Sequence, residues 1–274
     1  MKNMKLSINL IKKLNTVALI SVILILVTGC VSHIKELREA QNQINSAASL
    51  ENQLKVDLFA TDAIAKSNQA NVSYRMAQNI LSNLINEKKE DLEKDNLLGS
   101  VYTLKAITEW RLGDYNTAVD TLVTIKSNSN IKLYPRDLAM TEALRGLIKN
   151  DQAYQHMLDL DYKYEDIKTL LRDSINDINS GIGVVQEGNN VRIYLAMAKL
   201  AALKNWVDLF NEPKKYALEV PTPFNSDAEQ TTWCISANPA WSLFEGEMER
   251  LGTQEAMVSK KWWGDRLGLP QACQ

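Results

Sequence analysis

The chain has 274 residues, with 31 basic and 33 acidic side chains, a formal charge of −2 and 45% hydrophobic residues. That hydrophobic share supports a folded chain with a core, and the absence of a basic stripe interleaved with aromatics removes the electrostatic footprint of nucleic-acid binding. The only histidines, His33 and His156, are far apart and there is no Cys-x-x-Cys pair, so no metal site or cofactor is expected.

At the start, Lys2, Lys5, Lys12 and Lys13 precede an apolar run from Val17 to Val27, interrupted only by Ser21, and then Val27-Thr28-Gly29-Cys30. Charge followed by a short apolar run and small residues is the pattern of a secretory signal. Eleven residues are too few to cross roughly 30 Å of hydrocarbon as a helix. The last four residues resemble the lipobox of bacterial lipoproteins. The resemblance implies a signal peptide, residues 1–29, cut before Cys30, with Cys30 diacylated at sulfur and acylated at its new amino terminus. Three acyl chains, at about 0.8 kcal/mol per buried methylene, would hold the protein on a membrane. The other reading is an ordinary cleaved signal in which the cysteine falls there by chance. Val31, rather than Asp, follows the cysteine, which in the enterobacterial sorting pattern implies the periplasmic face of the outer membrane. Cleavage would remove four lysines and no acid, leaving 245 residues, 27 basic and 33 acidic, at a formal charge of −6.

Residues 30–49 are polar, with Ile34, Leu37 and Ile44 thinly spread, and read as a lipidated tether or a first helix. Residues 50–210 read as paired helices. Leu50 to Ser67 and Val72 to Asn86 make one pair; Tyr102 to Ile125 makes another, reversed at Leu112-Gly113-Asp114-Tyr115. In the latter, Ala106 and Trp110 stand four apart on one face, and Tyr115, Ala118, Leu122 and Ile125 follow at spacings of three and four. Gly113 supplies the left-handed residue that reverses the chain. Ala106 facing Ala118 allows close approach. The earlier pair repeats this spacing in Tyr74, Ala77, Leu81 and Leu84, 41 residues upstream, with Ala65 matching Ala106; a weaker copy follows at Asn150, Ala153, Met157 and Leu160.

The Gly-Asp-Tyr-x-x-Ala pattern resembles a tetratricopeptide repeat. The resemblance covers roughly residues 50 to 160 and is specific around Trp110 to Leu122. It implies an all-α fold, a right-handed superhelical array of antiparallel helix pairs with a concave binding surface. Two more helices follow, Tyr164 to Asn179, broken by Gly181-Ile182-Gly183, and Val191 to Phe210, ended by Pro213. No segment shows the sustained alternation of a strand.

Residues 211–274 hold five of the six prolines and, in Trp233, Trp241, Trp262 and Trp263, four of the six tryptophans. They read as an irregular segment capping the apolar face of the last helical pair, or as an aromatic binding surface. Cys234 and Cys273 are the thiols left besides Cys30, and in an oxidising periplasm they are expected to form one bridge; two unpaired buried thiols are the alternative. No catalytic residue stands out. Gly181-x-Gly183 lacks the context of a phosphate loop, and Asp159, Asp161, Glu165 and Asp166 lack the spacing of a calcium loop. The expected function is that of a lipid-anchored, non-catalytic scaffold for another envelope protein. The runner-up is a small-molecule-binding accessory lipoprotein of a periplasmic transport system.

Overall fold

A computed structural model describes residues 32–51, 63–158, 163–187, 189–211, 223–267 and 273. The signal segment and Cys30 lie outside these residues, as do Leu160 and Pro213. The described secondary structure is all helical, with no strand among the described residues. The helices divide into two compact units, the boundary falling between Lys132 and Leu133 rather than after residue 210.

The first unit contains α1 (32–51), α2 (Ala63–Glu87), α3 (Lys89–Lys94), α4 (Leu98–Arg111) and α5 (Tyr115–Ser127). Residues 32–49 are thus helix rather than tether. Leu37 and Ala40 of α1 share a buried cluster with Ala77, Leu81 and Leu84 of α2, while Ala47 packs with Ala70 and Tyr74, so the two helices run antiparallel. The reversal is not where the sequence suggested. α2 is already helical at Ala63 and stays so through residues 68–71, because Asn68-Gln69-Ala70-Asn71 contains neither glycine nor proline to stop it. Its buried stripe is Ala70, Tyr74, Ala77, Leu81 and Leu84, spaced four, three, four, three. Ala65 falls on the opposite side of that stripe and is exposed, so it is not the counterpart of Ala106.

The α4–α5 pair is the expected hairpin. Gly113 has φ +81°, its N–H donates to Trp110 O at 3.0 Å, and the Asp114 N–H donates to Glu109 O at 2.9 Å. These two bonds are those of a Schellman turn, which satisfies the carbonyls that a helix end leaves free. Ala106 and Ala118 are fully buried.

The second unit contains α6 (Pro135–Leu158), α7 (Tyr164–Val184), α8 (Asn190–Asn211), α9 (Asp227–Leu251) and α10 (Gln254–Leu267). Each packs on the next, and α8 also meets α6 and α10. Pro135 opens α6, where its missing N–H costs nothing. No turn forms at Asn150: Lys149-Asn150-Asp151 contains no breaker, and the helix continues to Leu158. The weaker third copy is therefore the middle of one long helix.

Gly181 and Gly183 do not break α7. A Cβ on Gly181 would lie 2.5 Å from Ala139 O and 2.7 Å from Ala143 Cβ; one on Gly146 would lie 2.6 Å from Ser174 O. Gly146 and Gly181 thus let α6 and α7 approach backbone to backbone, and Ser174 Oγ donates to Gly146 O at 2.7 Å across the contact.

The C-terminal segment is helical rather than irregular. Ser226 caps α9 by accepting the Glu229 N–H at 3.2 Å. Pro239 sits within this 25-residue helix. The carbonyl it leaves unbonded is that of Ile235, which is itself exposed, so water can satisfy it.

Candidate functional site

Of the residues singled out for repeat packing, Tyr74, Ala77, Ala106, Trp110 and Ala118 are buried, Tyr115 is half-buried and Gly113 makes the turn. The structure adds polar partners to them. Glu109, one turn beyond Ala106 and fully buried, accepts a hydrogen bond from Thr121 Oγ1 at 2.7 Å and pairs with Lys105. Thr121 is itself one turn beyond Ala118, so a charged latch sits beside the alanine contact. Tyr74 donates to Glu51 Oε2 at 3.1 Å, Glu51 pairs with Arg111, and the Arg111 guanidinium lies 4.8 Å from the centre of the Trp110 ring. These groups tie the end of α1 to α2 and α4. These bonds hold the helices of the unit together.

In the second unit, Cys234 and Cys273 form a disulfide with their Cα atoms 5.4 Å apart. Trp233 and Trp263 are buried in the core, Trp241 is half-buried and Trp262 is exposed. The four therefore do not form one solvent-facing aromatic surface. Trp233 joins a chain of rings: Phe224 lies 5.8 Å from it and 6.4 Å from Trp206, and Tyr164 stacks on Phe210 at 5.4 Å. Trp206 Nε1 donates to Pro223 O at 3.0 Å, whereas Trp233 Nε1 is buried without an acceptor among the described residues.

The buried cation in this ring cluster is Lys168. Its Nζ lies 2.8 Å from the Glu229 carboxylate and 5.7 and 5.8 Å from the ring centres of Trp206 and Phe210. Burial pushes the Glu229 carboxyl up, but the hydrogen bonds from Lys168 and the Asn225 N–H, with the charges of Lys168 and Arg172, leave it below the usual carboxylate range. Lys199, on α8, is a second buried cation. It donates to Asn179 Oδ1 at 2.9 Å, and burial lowers its pKa from the ordinary lysine value.

The acidic residues considered for calcium are split: Glu165 and Asp166 lie in the first turn of α7, where negative charge suits a helix start, and Asp159 and Asp161 lie outside the described residues. No helix of the described residues is long and apolar enough to cross a membrane.

What solvent meets on the second unit includes three tyrosines. Tyr134, just before α6, and Tyr154, on α6, are each 49% exposed, and Tyr194, on α8, is 41% exposed. Sequence reasoning passed over all three, since a tyrosine in a helical pattern reads first as packing. The latch at Glu109 and the Lys168 site were missed for another reason: nothing in sequence separates a charge with a distant partner from a solvated one. The chain matches no protein-family model, no curated relative and no solved structure.

Proposed function

We propose that this chain is an outer-membrane lipoprotein, anchored through Cys30 on the periplasmic face, whose tetratricopeptide-like helix pairs form a non-catalytic scaffold for another envelope protein. The anchor rests on the basic, apolar and small-residue pattern that ends at Cys30. The repeat-like reading is supported by the α4–α5 hairpin and by the way each unit also joins alternate helices, α2 with α4 and α6 with α8. A stacked array needs such neighbour contacts to bury its helices' inner faces.

The observation that carries the partner class is the exposure of Tyr134, Tyr154 and Tyr194. A tyrosine offers a large rigid apolar face and a hydroxyl at low entropic cost, which is why it is enriched where proteins meet. A photo-crosslinking residue at position 154 in the native envelope tests this. The expected result is a discrete protein adduct, absent with the same residue at the exposed Asn116. Equal adducts at 154 and 116, or none at 154, would overturn the scaffold reading. Intact-mass measurement tests the anchor: it should find the acyl additions on the wild-type chain and none on Cys30→Ser.

A further inference from the structure

Helix α1 is ordered from residue 32, and its second residue, His33, is only 3% exposed, with Nε2 2.8 Å from Asp95 Oδ2. Asp95 ends α3 in a fixed turn. Asn96 has φ +57°, its N–H donates to Glu93 O at 3.1 Å, and the Leu97 N–H donates to Leu92 O at 2.8 Å. This is again the Schellman pattern, closed by the buried Leu92 and the half-buried Leu97 in one apolar cluster. One turn along α1, Leu37 enters the same cluster. The packed body of the first unit thus begins at His33, three residues after Cys30.

Three residues span at most about 11 Å even when fully extended. A flexible tether of some tens of residues would instead let a domain wander over roughly 5–6 Å times the square root of its length. We propose that the end of the first unit formed by the start of α1 and the α3–α4 turn lies directly against lipid headgroups, with no tether between membrane and fold. This rests on the lipid-anchor reading above and gives that anchor a consequence: it fixes which end of the unit meets the membrane. The partner is a lipid surface, held by the acyl chains. Glu90, Asp91 and Glu93 outnumber Lys89 and Lys94 on α3, so anionic lipid gains no net attraction there.

The opposite end is equally defined. Arg111 pairs with Glu51 at the far end of α1, so the turn at Gly113 stands beyond a helix of about 27 Å from His33, at 1.5 Å per residue. Position 116 is therefore distal and position 94, beside Asp95, proximal.

The full-length lipidated protein in phosphatidylcholine vesicles carrying headgroup-attached acceptor dye decides the matter. Lys94→Cys and Asn116→Cys, both at exposed positions, would each be labelled with a donor fluorophore; acylated Cys30 and the bridged Cys234 and Cys273 leave the new thiol as the reactive one. Transfer from position 94 should exceed that from 116 severalfold, in zwitterionic and anionic vesicles alike. His33→Ala, checked as folded by circular dichroism, should reduce the difference by freeing the first turn of α1. Equal transfer from both positions on protein that floats with the vesicles would overturn the direct contact while leaving the anchor intact. Protein that does not float would overturn the anchor reading and this inference with it.

Discussion

Gly181 and Gly246 occupy the same kind of backbone, the interior of a helix, yet a methyl group would meet opposite surroundings. At Gly246 on α9 nothing lies within 4 Å of the added carbon, whereas at Gly181 it would press on the Ala139 carbonyl at 2.5 Å. Alanine is favoured over glycine in a helix interior by about 1 kcal/mol. Gly246→Ala should therefore raise the urea midpoint, by an amount equivalent to roughly 0.5–1 kcal/mol. Gly181→Ala should lower it despite the same propensity gain, because overfilling a packed contact costs about 1–3 kcal/mol and a backbone carbonyl in α6 cannot rotate away as a side chain would. An increase in stability for Gly181→Ala, measured by urea unfolding, would mean that α6 and α7 are not in backbone contact there. Nothing in the sequence says which of the two glycines faces a neighbouring backbone. The partner helix distinguishes them, which is why Gly181 reads as part of a break when it lies in a seam, whereas a carbon added at Gly183 would meet nothing within 4 Å.

At the scale of elements, the α4–α5 hairpin was legible because its reversal is written locally: Gly113 takes the left-handed conformation, and Ala106 and Ala118 mark the close face. The copies at Tyr74 and Asn150 share the apolar spacing but lack a residue that stops a helix. Spacing alone places a buried stripe and leaves the turn unspecified, so α2 and α6 run on as single long helices. In the C-terminal segment the prolines suggested irregular chain, but a single Pro239 with the exposed Ile235 four residues earlier does not prevent helix. The hairpin's own stability has two separable sources. Ala118→Leu should cost about 1–3 kcal/mol by overpacking against α4. Thr121→Val keeps the volume but withdraws the hydroxyl that the buried Glu109 carboxylate accepts, and should also cost about 1–3 kcal/mol. Combining Thr121→Val with Glu109→Met should recover part of the loss, since no unsatisfied carboxylate is left and the part-exposed Lys105 ammonium can turn to water. Additive losses in that double variant, read from urea midpoints, would show that Glu109 and Thr121 do not depend on each other.

At the scale of the whole molecule, the boundary at Lys132 and Leu133 puts Trp110 in the first unit and Trp206, Trp233, Trp241, Trp262 and Trp263 in the second. Tryptophan emission therefore reports chiefly on the second unit, while far-ultraviolet circular dichroism reports on helices in both. The disulfide lies wholly in the second unit and closes a sequence separation of 39 residues. By the chain-entropy estimate, a crosslink of that span disfavours the unfolded chain by roughly 4 kcal/mol. It also holds residue 273 against a core that contains Trp233, Phe244 and Trp263. Reduction should accordingly move the emission-detected urea transition of the mature protein to lower denaturant. It should leave a second dichroism phase, from the first unit, where it was, because compact units with their own cores open separately. Thiol titration of the unfolded, unreduced mature chain should find no free thiol. Two reactive thiols would remove the bridge itself. An unmoved emission midpoint after reduction would spare the bridge but assign the holding of α9 and α10 to their buried rings. A single transition in which emission and dichroism shift together would show instead that the two units unfold as one, so that the crosslink in the second unit also stabilises the helices of the first.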